Sequence, residues 1–294
     1  MIAFRFLVLY FLLASSAAAL LAYPAFLLAG PELFAFEKWV TRLGLLFLIL
    51  GLIPARRILK LNAQDFAYPR TKSLFIQGLA TGFGSGLAIL LLPTVIFLAL
   101  AVLVPDTGKT DPILPLLLTA LVAGLLVGVI EESLFRGLFT HVILRHHSAL
   151  AALVFPSTLY AAVHFMQPAH PPAGENLHWM SGFQVMTQAY LGVFSAPLDD
   201  LLALFAVGLF LGLIRLLTGN LALCIGLHAS WVLLIKLIKT YTDRNRDSEW
   251  SFLVGQYDGI VGWGVCLWLL LLCLILWGFS RQRSNPKDTA HSQR

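Results

Sequence analysis

Residues 113–136 read ILPLLLTALVAGLLVGVIEESLFR. From Ile113 to Ile130 no residue is charged, and the run approaches the roughly 20 apolar residues that a bilayer core requires. Two adjacent carboxylates, Glu131 and Glu132, close it, and Arg136 follows. A charge at membrane depth costs several kcal/mol unless it is paired or hydrated, which makes ionisable residues there functional candidates by default. On a helix, Glu132 and Arg136 stand four apart and share a face, so they can neutralise each other. Glu131 points about 140° away from Arg136 at 3.6 residues per turn. One glutamate is thereby expected to be structural and its neighbour free for chemistry.

The rest of the chain agrees with a membrane setting. Of its 294 residues 59% are hydrophobic and 12% charged, with a mean hydropathy of +0.83; soluble domains average about 25% charged residues. The expected fold is an all-α polytopic membrane protein of about eight transmembrane helices. Apolar segments of spanning length lie near 4–29, 39–55, 73–104, 113–145, 149–166, 200–217, 221–239 and 259–279. The third and fourth overrun the bilayer and are expected to tilt, kink or protrude. Four regions follow: spans and a basic connection over 1–112, a central core over 113–240, a loop and last span over 241–280, and a basic, disordered tail over 281–294. The first segment, with Arg5 and Ala17-Ala18-Ala19, looks superficially like a signal peptide. Its apolarity continues through Leu28, so an uncleaved helix is expected.

Arg56, Arg57, Lys60, Arg70 and Lys72 crowd one connection, and Arg281, Arg283, Lys287 and Arg294 follow the last span. The positive-inside rule puts both in the cytoplasm. Lys239, Arg244 and Arg246 fit that topology less well, although four acidic residues accompany them. A net charge of +5 distributed in this way is no argument for nucleic acid. Cys224, Cys266 and Cys273 lie in apolar runs without ligand spacing and read as small buried residues. The longest connection, 167–199, starts with Pro168, Pro171 and Pro172 and is apolar enough to lie on or dip into the membrane.

His164 ends the next apolar run, with Tyr160 one turn behind it on the same face. The turn Arg145-His146-His147-Ser148 lies about midway between Glu131 and His164. Antiparallel helices folded there bring both to one height, roughly 25 Å from the turn at 1.5 Å per residue. His228 stands in a later span, and Gly208 and Gly212 form a smooth stripe in the span before it. His146 and His147 sit in a basic turn without a nearby carboxylate, and His141, His170, His178 and His291 are expected at interfaces or in solvent. The chemistry that a glutamate and two histidines support is hydrolysis. A carboxylate in low dielectric is suited to take a proton from water, an imidazole orients that water, and a fixed donor stabilises the oxyanion. No serine or cysteine sits in a nucleophile context such as GxSxG.

With these residues in hand, the chain resembles the CPBP family of CAAX-protease and bacteriocin-processing intramembrane proteases, also called Abi or Rce1-like. The EExxxR motif is Glu131 to Arg136. The FxxxH motif is Tyr160 to His164, with tyrosine for phenylalanine. The glycine-bearing motif is Phe205 to Gly212, and the HxxxN-type motif starts at His228, with Val232 in place of asparagine. The resemblance covers about 113–240. It implies peptide hydrolysis by a glutamate-activated water, with Glu131 as base, His164 as its partner, His228 as oxyanion donor, Arg136 fixing Glu132, and Tyr160 supporting. The implied substrate is a peptide or protein at the membrane, the implied location the bacterial cytoplasmic membrane. No cofactor is expected; zinc held by Glu131, His164 and His228 is the alternative, since His₂Glu is a known catalytic set. A silent scaffold or immunity-type protein, favoured by Val232, and a proton-coupled transporter are the competing readings.

Overall fold

A computed structural model describes residues 2–168, 170 and 176–283. Pro171, Pro172, His291 and the tail beyond Arg283 lie outside the described residues. The described residues are mostly helical, and among them seven helices are long and apolar enough to cross a membrane, with Ala149–His164 a shorter apolar helix. The all-α polytopic reading therefore holds, at about the expected number of spans.

Two compact units divide the chain. One comprises Met1–Tyr68 with Ile130–Pro197, the other Pro69–Val129 with Leu198–Arg294. The first holds α1 (Ile2–Ala29), α2 (Phe36–Ile58), a π-helix over Ser133–Phe139, α5 (Thr140–Leu144), α6 (Ala149–His164) and α7 (Ser181–Gly192). The second holds α3 (Lys72–Ala99), α8 (Leu198–Thr218), α9 (Leu221–Tyr241) and α10 (Trp263–Arg283). α4 (Ile113–Glu132) begins in the second unit and ends in the first.

In the first unit, α1 buries Ala18, Ala19 and Ala22, and Ala19 meets Gly182 of α7. A Cβ at Gly182 would lie 2.0 Å from the Ala19 carbonyl oxygen. The alanine run that resembled a cleavage site is thus a packing face. The 167–199 connection holds a helix of its own. Its centre is α7, seated against α1 and α2 with Val185 fully buried beside Phe36 and Val40. Small residues on both helices permit that approach, and the exposed side presents Trp179, Leu191 and Phe194 to the surroundings.

The second unit is built on close backbone contact between α3 and α9. Gly78, Gly82 and Gly86 form a stripe four residues apart on α3, facing Asn220, Leu223 and Leu227. Such stripes replace the hydrophobic effect, which does not drive association where the solvent is itself apolar. The Trp231 indole N–H donates to the Gly86 carbonyl at 2.9 Å. Beyond both helices, Leu103–Pro105 and Thr242–Arg244 pair as antiparallel strands β1 and β2, an element that hydropathy alone does not reveal. Arg244, which fitted the topology poorly as a free charge, donates to the carbonyls of Gly255 and Ser251 at 3.1 and 2.9 Å. Its charge serves the loop's own fold.

Candidate active site

The fourth apolar segment is interrupted where its charges begin. α4 ends at Glu132, and the next seven residues, Ser133–Phe139, wind as a π-helix before α5 resumes. The hydroxyl of Thr140 donates to the carbonyl of Phe135, five residues back, at 2.9 Å. The uniform 3.6-residue spacing assumed for this stretch therefore stops at Ser133, and the 140° reckoning for Glu131 and Arg136 does not carry through it. π-turns of this kind are rare and concentrate at functional sites. Gly137 admits the Phe66 ring, since a Cβ there would lie 2.7 Å from Phe66 Cδ1. The Tyr68 and Ser133 hydroxyls share a 2.6 Å hydrogen bond. The loop after α2 thus braces the π-turn, a role the sequence reading missed because nothing local to residues 66–68 announces it.

Glu132 and Arg136 pair as expected. The Arg136 Nη1 donates to Glu132 Oε1 at 3.0 Å, and both side chains are almost wholly buried. Above the guanidinium lies the Tyr160 ring, 4.6 Å from centroid to Arg136 Cζ. Phe135 packs edge-on against the same ring at 5.4 Å. Tyr160 in turn stacks on the His164 imidazole, centroids 4.5 Å apart. His164 Nδ1 lies 2.7 Å from the Tyr160 carbonyl oxygen. A carbonyl only accepts, so Nδ1 is the donor in this contact. Four of the singled-out residues, Glu132, Arg136, Tyr160 and His164, form one contiguous series.

Glu131 is less buried than its neighbour. It lines a cavity of about 260 Å³ together with residues of α1, α2 and α7. Val163 and Met166, on either side of His164, line the same cavity, so the end of α6 reaches the level of Glu131. Ser15 and Tyr190, joined by a 2.9 Å hydrogen bond, are lining residues that carry no sequence signal; they lie 175 positions apart.

His228 belongs to the other unit. It is buried on α9, flanked by Ile225 and Ala229, against whose carbonyls α4 packs through Gly128 and Gly124. Ser230, two residues before Val232, donates to the Leu227 carbonyl at 2.7 Å and faces Gly86. Gly208 and Gly212 are buried in α8. His141 is partly buried, 3.8 Å from Asp65, His147 packs on the Phe4 ring, and His146, His170 and His178 are exposed. Among the described residues no three His, Cys, Asp or Glu side chains gather as a metal-ligand group.

Fold and site together define a polytopic helical membrane protein with an ionisable cluster set into its apolar helices. The Rce1-like family model, described as type II CAAX prenyl endopeptidase Rce1-like, matches residues 113–234. Over these residues, a little over two fifths of the chain, the protein is similar to the Rce1-like family, the resemblance that the motifs indicated. No curated protein and no solved structure matches the chain.

Proposed function

We propose that the protein is an intramembrane endopeptidase that hydrolyses a peptide bond of a membrane-associated peptide or protein by a glutamate-activated water. The observation that carries this reading is the division of labour between adjacent carboxylates: Glu132 is held by Arg136 inside the protein, while Glu131 lines a cavity. Glu131 takes a proton from water as the water oxygen attacks the carbonyl carbon. His164, with Nδ1 committed to the Tyr160 carbonyl, offers Nε2 as an acceptor that orients the water. The carbonyl oxygen becomes an oxyanion, for which His228 is the donor that the family resemblance implies. Collapse of that intermediate breaks the C–N bond, and Glu131 returns its proton to the departing amine. The reaction needs no cofactor in this reading, and the protein resides in a bacterial cytoplasmic membrane. Val232 favours a second reading, a silent scaffold, because an apolar side chain supplies no donor where the family motif has asparagine.

The test is cleavage of a tagged membrane-peptide library by the reconstituted protein, with wild type, Glu131→Gln and His164→Ala compared with and without a strong chelator. Loss of a general base costs about 10²- to 10⁴-fold in rate. Cleavage that falls by that factor in both variants and survives the chelator is the expected result. Loss with chelator and recovery with zinc would transfer the site to a metal mechanism. Undiminished cleavage by Glu131→Gln would remove Glu131 from its role.

A further inference from the structure

At one end of the first unit the charges do not balance. Phe26 meets Phe36 and the Tyr10 hydroxyl donates to the Leu48 carbonyl, so α1 and α2 run antiparallel and the start of α1 lies beside the end of α2. Phe4 packs on the His147 ring at 4.6 Å, which brings the turn between α5 and α6 to the same end. There Arg5, Arg56, Arg57, Lys60 and Arg145 are all exposed. The acidic residue of the loop after α2, Asp65, is already engaged, accepting from the Asn62 N–H at 2.7 Å and standing 3.8 Å from His141. Among the described residues none of the five cations is in an ion pair. At the opposite end of α1 and α2, Glu32 and Glu37 accompany Lys38 and Arg42, so the excess is confined to one end.

An apolar track leads to these charges. Leu46, Leu50, Ile53 and Arg57 are spaced so that they share one face of α2, and all of them are exposed. From Leu46 to Arg57 the track measures about 16 Å at 1.5 Å per residue, close to the roughly 15 Å of one hydrocarbon leaflet. Beside its charged end, Arg56 Nε donates to the Leu61 carbonyl at 3.1 Å, which fixes that guanidinium at the turn. A free phosphate or an acidic peptide would engage the cations and leave the track bare. A phospholipid engages both, with its phosphate on the cations and an acyl chain along Leu46, Leu50 and Ile53. The unmatched positive charge further selects a net-negative headgroup, because a zwitterionic one would bring an ammonium among the five cations. We infer that the end of α2 binds an anionic phospholipid, its headgroup held by Arg56, Arg57 and Lys60 in the field of Arg5 and Arg145. This inference stands independently of the hydrolytic reading of Glu131.

The experiment uses the full-length protein in a neutral detergent, which removes any effect of substitution on membrane orientation. Dioleoyl-phosphatidylglycerol and dioleoyl-phosphatidylcholine are titrated in, and bound lipid is counted by native mass spectrometry. Each Lys or Arg beside an anionic headgroup is worth about fivefold in affinity, so wild type is expected to prefer phosphatidylglycerol by at least about that factor. The preference is expected to shrink at about 1 M salt, where the Debye length falls to roughly 3 Å. The combined change Arg56→Gln, Arg57→Gln and Lys60→Gln brings the ratio close to parity. Arg56→Lys with Arg57→Lys keeps most of the preference, and Lys38→Gln with Arg42→Gln, at the opposite end, leaves it unchanged. Equal affinity of wild type for the two lipids at low salt overturns the site without recourse to any variant. A preference that survives the three glutamine changes overturns it as well. Displacement of the lipid by inorganic phosphate at a similar concentration makes the site one for a free anion, and tighter binding of a polyglutamate peptide makes it one for an acidic protein segment; either result overturns the phospholipid.

Discussion

Glu131 and Glu132 are chemically identical neighbours, and their surroundings give them opposite expected phenotypes. Removing one partner of a buried ion pair costs about 3–5 kcal/mol because the other charge is stranded. Glu132→Gln is accordingly expected to lower thermal stability by that order, read by unfolding in detergent. The double replacement Glu132→Leu with Arg136→Met is expected to recover most of it, since an apolar pair of similar volume strands no charge. Glu131→Gln is expected to slow cleavage by the roughly 10²- to 10⁴-fold of a lost general base. At Tyr160, only the ring is needed to cover Arg136 and stack on His164. Tyr160→Phe is expected to retain activity. Tyr160→Ala forfeits a cation–π contact worth about 1–2 kcal/mol when desolvated and loosens His164, so kcat falls more than binding. The pairing of Glu132 with Arg136 and the contact of Tyr160 with His164 were legible in the sequence because each pair is four residues apart in the chain. The cavity at Glu131 was not, because Ser15, Gly44 and Tyr190 reach it from three separate helices.

Between elements, backbone proximity decides what a position tolerates. A Cβ at Gly82 would stand 2.1 Å from the Leu223 carbonyl oxygen, whereas one at Gly84, two residues on, meets nothing within 4 Å. Overpacking of this sort costs about 1–3 kcal/mol or more. Gly82→Ala is therefore expected to lower the unfolding midpoint and Gly84→Ala to leave it unchanged or raise it, the comparison being made in one detergent. Glycine spacing is visible in the sequence at Gly78, Gly82 and Gly86, yet the stripe singled out from sequence was Gly208 and Gly212. Nothing in a list of glycines says which face meets a partner. In the loop before α10, the Asp258 carboxylate accepts from the Ile260 and Val261 N–H groups through one oxygen, at 2.9 and 2.7 Å. Burial raises its pKa above the ordinary carboxylate value, while those two N–H groups and the Lys239 charge pull it down by less. A raised folded pKa means that the folded state holds the proton longer than the unfolded one. The contribution to stability is then present at low pH and is lost as pH rises through the folded value. Asp258→Asn keeps the accepting oxygen and removes the ionisation, so it is expected to flatten the fall in stability above the usual carboxylate range.

For the molecule as a whole, the paired strands β1 and β2 constrain the topology. They join the ends of α3 and α9, so these two helices run in the same direction, as the third and seventh of eight alternating spans must. Single cysteines at Lys60 and at Gly108 are expected to react with an impermeant thiol reagent from opposite faces of inside-out and right-side-out vesicles, and one at Asp247 to behave like Gly108. Reaction of positions 108 and 247 from different faces would break the assigned orientation. The apolar side chains that the helices turn outward, Leu13, Leu28 and Leu274 among them, require lipid rather than water around them.

The sequence by itself determined that the chain enters a membrane, where its spans lie, that a carboxylate pair with an arginine closes the fourth of them, and which family's motifs it carries. These are properties of run length, of i,i+4 spacing and of motif order, each of which depends on residues close together in the chain. Only the tertiary structure decided that α7 packs on α1, that the fourth span passes through a π-turn braced by Phe66 and Tyr68, and that Glu131 borders an apolar cavity while Glu132 does not. Those features arise from contacts between helices distant in the chain. In an apolar environment such contacts depend on the fit of small side chains against backbone, which hydropathy does not record.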